Sequence, residues 1–250
     1  MKIQLFNDNF ENAKVYQIPK AQMIIADIPY NLGANAYASN PQWYNNGDIM
    51  QGESKKANSL FFRGDENFNI YNFFRFCTRL LKEDKTKKGC KSEAPCILLF
   101  CSFKQMHEII EIAEKVGFKG NIPLFFIKNY SAEVLKANMR VVGAMEYGIL
   151  LYKERLPKFN NEGKMIFNYF NYIKDSKDEN IPKIHPTQKP VKLLKRLIEI
   201  FTDEGDVIID PVAGSGTTLK ACKELNRSCY GFEINKEFYN RAINEMLGGD

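Results

Sequence analysis

The chain of 250 residues is 44% hydrophobic and 13% aromatic, enough apolar material for one sizeable core, as a single α/β domain or a domain with a small insertion. Lys and Arg number 35 against 30 Asp and Glu, a formal charge of +5, which suits a polyanionic partner without requiring one. No apolar stretch approaches the roughly 20 residues that span a bilayer, and no secretory pattern opens the chain, so a cytoplasmic protein is expected. The cysteines at 77, 90, 96, 101, 222 and 229 form no Cys-x-x-Cys pair, and His107 and His185 sit in unrelated surroundings. Reduced, mostly buried thiols and no metal site are the expectation.

In chain order, short apolar runs alternate with segments of helical period, the pattern of a mainly parallel sheet flanked by helices. Strands are predicted at 4–6, 22–26, 96–101, 122–127, 147–152, 207–209 and 229–232, with helices at about 67–81, 104–116, 191–201, 217–225 and 236–246. In the third helix Val191, Leu194, Ile198 and Phe201 share a face, and Pro190 can open the first turn at no hydrogen-bond cost. Two polar, Asn- and Gly-rich stretches, 31–66 and 153–184, break the alternation, and loops of that length tend to be functional or disordered. The run 82–91 carries five lysines beside Glu83 and Asp84 and reads as a solvated connection.

Late in the chain, Asp206-Val-Ile-Ile-Asp210-Pro-Val-Ala-Gly214-Ser215-Gly216-Thr217-Thr218 reads as a buried strand, a glycine turn and a helix start. Glycines let backbone approach a ligand closely, and the helix that follows presents free N–H groups. No Gly-Lys-Ser/Thr follows, which disfavours a P-loop, and Leu219 occupies the third glycine position of a dinucleotide fingerprint. An acid such as Asp210 sits poorly beside pyrophosphate and well beside a cation. S-adenosylmethionine, with a sulfonium, an ammonium and no phosphate, is chemically reasonable there. Glu233 ends the next strand, at a spacing suited to accepting hydrogen bonds from ribose hydroxyls.

Early in the chain, an apolar strand runs into Asp27-Ile28-Pro29-Tyr30. Alone this is a plausible surface turn. Its residue types also suit a base amino group, whose lone pair is delocalised into the ring. Hydrogen bonds accepted by Asp27 and a backbone carbonyl, that of Pro29 left exposed by the fixed ring, would favour a pyramidal nitrogen, and Tyr30 can stack on a flipped base. Asp27 is then an orienting acceptor rather than a strong base, and transfer is in-line displacement helped by alignment and charge placement. The stretch 31–66, with Tyr37, Trp43, Tyr44, Phe61, Phe62 and Arg63, offers material for holding displaced DNA, although each aromatic could equally be packing.

Together these residues resemble the permuted, or beta, class of DNA amino methyltransferases, in which the catalytic motif precedes the cofactor glycine motif. Asp27–Tyr30 resembles the family's Asp-Pro-Pro-Tyr, His185-Pro-Thr187-Gln-Lys189-Pro190 its segment before the cofactor strand, and Asp210–Thr218 its glycine motif. The resemblance implies a Rossmann-like S-adenosylmethionine-dependent methyltransferase fold in one catalytic domain spanning 1–250. It implies a site-specific enzyme methylating N6 of a flipped adenine in DNA, in a bacterial or phage-infected cell. Within it Phe6-Asn7-Asp8 looks like the segment whose Asp contacts the cofactor's adenine amine, and Thr187 and Lys189 would help enclose the methionine end. Segments 31–66 and 153–184 become DNA-contact and target-recognition inserts. Ile28 departs from the usual first proline, a structural position in the family, so activity is expected to survive. N4 methylation of cytosine, methylation of an RNA base or a glutamine amide, a catalytically inactive DNA-binding partner subunit and a dinucleotide-dependent oxidoreductase are the alternatives. A homodimer and a cognate restriction endonuclease stay open.

Overall fold

The computed structural model describes residues 1–30, 68–131, 141–175, 181–185 and 187–248. Its strands are β1 (Ile3–Phe6), β2 (Met23–Asp27), β3 (Cys96–Cys101), β4 (Gly120–Lys128), β5 (Met145–Tyr152), β6 (Tyr169–Tyr172), β7 (Val207–Asp210) and β8 (Ser228–Phe232). They form one sheet in the order β1-β8-β7-β2-β3-β5-β4-β6. Only β5 runs against its neighbours; every other described pair is parallel. The helices are α1 (Ile70–Leu80), α2 (Met106–Lys115), α3 (Val191–Phe201), α4 (Thr217–Glu224) and α5 (Lys236–Arg241), the last passing into a π turn at Ala242–Met246. No helix among the described residues is long and apolar enough to cross a membrane.

The central strands are apolar throughout because helices cover both faces of the sheet. Met23, Ile25, Leu98, Phe100 and Ile208 pack on the side of α3 and α4. The intervening Ile24, Ala26, Ile97, Leu99 and Ile209 pack with α1 on the other. On α1, Ile70, Phe73, Phe74, Cys77 and Leu80 are buried at helical spacing, each large side chain contributing about 1.5–3 kcal/mol of transfer free energy. Asn69 caps this helix by accepting from the Asn72 amide, which is why it begins later than position 67.

One correction concerns 153–184, expected to be irregular. Tyr169–Tyr172 within it is a strand, parallel to β4. Four residues are too few to show alternation, and the edge of β4 supplies the pairing that the local sequence does not advertise. Segment 31–66 lies outside the described residues. Five of the six cysteines are buried thiols and Cys90 is exposed. Lys82 in the lysine run pairs with Asp206 at 2.7 Å.

The topology creates a crevice. From β2 the chain crosses through α1 to β3, and from β7 through α4 to β8, in opposite directions, while β2 and β7 lie side by side. Ligands bind outside the carboxyl ends of strands at such a switch point.

Candidate active site

Asp210 ends β7, and its Oδ1 accepts from the Val212 amide at 3.1 Å, tightening the turn that follows. Gly214 and Gly216 have φ of +53° and +77°, conformations that side-chain-bearing residues rarely adopt. A methyl on Gly216 would also sit 3.2 Å from Ala242 Cβ, so this glycine serves turn geometry and packing and does not line the cavity described below. Glu233, at the end of β8, clamps the turn: one carboxylate oxygen accepts from the Gly214 amide at 2.8 Å, the other from Asn235 at 2.6 Å. Burial raises the Glu233 carboxyl above its ordinary range, those two hydrogen bonds opposing it. Burial pushes Asp210 up to about 7, against hydrogen bonds from Thr218 and Val212 and with help from the Asp27 and Glu233 charges.

Across the crevice, β2 ends on Asp27. Its Oδ2 meets Lys189 Nζ at 2.5 Å and its Oδ1 accepts from the Tyr30 hydroxyl at 3.2 Å. Burial raises the Asp27 carboxyl, Lys189 lowers it and Glu146 raises it. Ile28 is 2% exposed, and its amide donates to the Phe100 carbonyl at 3.3 Å. A proline could not make that bond, so the unusual residue extends the pairing of β2 with β3 by one step. The Pro29 carbonyl corrects an expectation: it is not free but accepts from Gln105 Nε2 at 2.8 Å. Gln105 is fixed by a capping box with Ser102, and Ser102-Phe-Lys-Gln105 is a pattern that sequence inspection could have found.

Lys189 is 6% exposed and lies between two acids, Asp27 and Glu146. Burial works to lower its pKa, yet the Asp27 and Glu146 carboxylates and Tyr30 hold it well above the usual lysine range. Glu146, on β5, is also paired with Lys128 of β4. Neither residue was singled out from sequence; the available signal was an acid at a core-facing position in an otherwise apolar strand. The segment leading to α3 folds on itself. Gln188 accepts from the Ile184 amide and donates to the Pro182 carbonyl, while Thr187 Oγ1 is 3.0 Å from His185 Nδ1. Burial drives His185 down to about 4, with Lys189 adding to the effect, so the ring is neutral near pH 7.

Both motifs line one cavity of about 740 Å³, within the range typical of small-molecule sites. Asp27, Pro29, Tyr30, Thr187, Lys189, Asp210, Gly214, Ser215, Thr217 and Glu233 all contribute to its wall. Asp8 does not. Its carboxylate accepts from the Asn9 amide, the Asn12 side chain and the Tyr16 hydroxyl at 2.7–2.9 Å, and these bonds, Asn12 first, hold it below the usual carboxylate range. Asp8 thereby anchors the turn that presents Asn9, Phe10 and Glu11 to the cavity. The buried acids Asp210 and Glu233 beside open backbone fit a ligand carrying positive charge and hydroxyls better than one carrying phosphates.

Residues 21–245 match a family described as DNA methylase, of the N6 and N4 methyltransferase type. The chain is 44% identical to the Type II methyltransferase M.HindIII of Haemophilus influenzae over a match covering 32% of this chain and 26% of that protein. It is 43% identical to M.HpaI of Haemophilus parainfluenzae, covering 88% of this chain and 66% of that protein. For M2.DpnII of Streptococcus pneumoniae the figures are 28%, 96% and 87%. The chain thus spans less than two thirds of the length of the first two relatives. Among solved structures, the complex of M1.HpyAVI with S-adenosylmethionine shares the fold at a TM-score of 0.69, with 23% identity over 97% of this chain and 98% of that one. The PvuII cytosine-N4-specific DNA methyltransferase does so at 0.69, with 14% identity over 100% and 88%. On the match that runs along most of its length, this chain belongs to the DNA methylase family.

Proposed function

We propose that the protein transfers a methyl group from S-adenosylmethionine to the N6 amino group of adenine, flipped out of a specific DNA sequence. The observation that carries the reading is the facing of Asp27–Tyr30 and the Asp210–Thr218 turn, far apart in sequence, across one cavity at the switch point of the sheet. The cofactor, when bound, supplies an electrophilic methyl. Glu233 suits its ribose hydroxyls, Asp210 its positive charge, the Gly214–Thr217 backbone its close approach, and Thr187 and Lys189 its methionine end. Asp8 acts at one remove, by holding the turn before β2 against the cavity.

At the chemical end, Asp27 accepts a hydrogen bond from the target amine and aims its lone pair. The amine attacks before it loses a proton, so no strong base is required of Asp27, which stands paired with Lys189. The Pro29 carbonyl, its Gln105 bond using one lone pair, keeps a second for the same amine. Tyr30, tied to Asp27, offers a ring face to the flipped base. Extruding the base costs a few kcal/mol, a cost that DNA contacts from 31–66 and 153–184 would offset. The relatives' designation as Type II methyltransferases supports a cytoplasmic role beside a cognate restriction endonuclease.

The test is incubation with labelled S-adenosylmethionine and DNA, followed by nucleoside analysis. N6-methyladenine in the product, lost in Asp27→Ala while cofactor binding persists, is the expected result. N4-methylcytosine would move the target to cytosine, label in RNA alone would remove the DNA assignment, and cofactor binding without turnover on any DNA would make the chain a partner subunit.

A further inference from the structure

We propose that Glu146 is a positioning residue for methyl transfer: it gives the Lys189 ammonium a second carboxylate, so that Lys189 steadies Asp27 without neutralising it as an acceptor. The proposal rests on the functional reading above, in which Asp27 receives the target amine. Lys189 Nζ lies 2.5 Å from Asp27 Oδ2 and 3.2 Å from Glu146 Oε2, with 6% of its side chain exposed and 15% of that of Glu146. Glu146 Oε1 is occupied by Lys128. Oε2 is buried and, among the described residues, meets no hydrogen-bond donor in good geometry, so the Lys189 ammonium at 3.2 Å is the charge it faces.

The sheet sets this arrangement. Phe100 of β3 stands opposite Asp27 on one side and Gly148 of β5 on the other, which places Glu146 near the level of Asp27, two strands away. Lys189 approaches over Phe100, its ammonium 5.0 Å from the ring centre, and the backbone just beyond is pinned where the Val191 amide donates to Asp175. A buried ammonium with a single carboxylate partner directs its whole charge at that carboxylate, and the oxygen it holds becomes a poorer acceptor for a third group. Sharing the charge between two carboxylates leaves the Asp27 oxygens richer in electron density and still able to accept, while Lys189 favours their ionised form. The groups facing Asp27 are Tyr30, Cys101 on β3, Tyr172 on β6, Asp210 on β7, Glu146 with its partner Lys128, and Lys189. Among these, Glu146 raises the Asp27 carboxyl and Lys189 lowers it.

Two measurements test the proposal. Nitrogen-15 NMR of lysine ammonium groups, with the Lys189 signal assigned by its loss in Lys189→Met, should show that signal retained in Asp27→Asn, retained in Glu146→Gln and lost in the double variant. Loss in folded Asp27→Asn alone overturns the second anchor without reference to activity. In methyl-transfer assays Glu146→Gln should lower kcat about tenfold, leave KM for S-adenosylmethionine within about threefold, and move the acidic limb of the kcat profile to lower pH, with partial recovery in Glu146→Asp. An unchanged kcat, or an unmoved acidic limb beside a uniform loss, overturns the positioning role. A wild-type protein that methylates no DNA sinks the functional reading instead, and the ammonium signal still decides whether Glu146 holds Lys189.

Discussion

Gly148→Ala probes how tightly the sheet is packed beneath the candidate site. A methyl added at Gly148 would lie 2.7 Å from the Leu99 carbonyl oxygen and 2.9 Å from Phe126 Cε2, against ordinary carbon contacts of about 3.5–4.0 Å. Neither neighbour can yield cheaply. Leu99 sits in a central strand paired on both sides, and Phe126, fully buried, is wedged between Phe100 and Phe170 with ring centres 4.6 and 5.9 Å away. Burying a methyl returns about 0.8 kcal/mol, and replacing a strand glycine returns about 0.5–1 kcal/mol. Overpacking costs about 1–3 kcal/mol or more, and a backbone clash belongs at or beyond the upper end. We therefore expect a net loss of about 2 kcal/mol, read as a lower urea midpoint at constant m and a fall in Tm of about 4–8 °C. Gly143→Ala, whose added methyl meets nothing within 4 Å, is the control and should stay within about 0.5 kcal/mol. If Gly148→Ala matches that control, the packing account of β5 is wrong.

The Asp210 carboxyl, held at about 7 by burial, ionises first in the unfolded chain, near 3.9. Its contribution to stability is therefore highest below about pH 4 and declines as pH rises towards 7, by on the order of 4 kcal/mol at most. Asp210→Asn, which can still accept from Val212, should flatten that decline in urea titrations at pH 4.5 and 8 and leave a more stable protein at pH 8. Glu233→Gln turns one of two acceptors into a donor facing either the Gly214 or the Asn235 amide, so we expect a loss of about 1–3 kcal/mol and at least about tenfold weaker cofactor binding by calorimetry. Gln105→Ala removes the Pro29 carbonyl's partner and a capping box; kcat should fall about tenfold while stability drops by about 1 kcal/mol, and an unchanged kcat would show that Pro29 needs no such support.

What could be read from sequence follows the length scale of each signal. The strands at 96–101 and 229–232 and the helix at 191–201 are announced by runs of apolar residues whose period matches their burial. The glycine turn is announced because Gly214 and Gly216 need backbone that other residues resist. β6 escaped notice because its stability comes from an edge 44 residues upstream rather than from its own pattern. Glu146 and Lys128 escaped for the same reason: their meaning lies in Lys189, far along the chain and beyond β6. Asp8 was read as touching a ligand, and the bonds it accepts from Asn9, Asn12 and Tyr16 lie within its own turn; a motif match gives a residue's neighbourhood and not the partners of its side chain.

These distances also bear on why an aspartate serves at position 27. Burial leaves the Asp27 carboxyl above its ordinary range even with an ammonium 2.5 Å away, yet a carboxylate remains far too weak a base to deprotonate an exocyclic amine before attack. An amine attacking a sulfonium methyl makes no such demand, since its proton becomes acidic only once the new bond has formed. What the step needs is an acceptor that stays ionised within a cavity wall where burial favours the neutral acid. Lys189 supplies that, and Glu146 limits how far it goes. The two carboxylates and the two ammoniums, Lys189 and Lys128, balance to zero, so a cationic ligand entering beside Asp210 and Glu233 meets no net repulsion from the Asp27 side of the cavity.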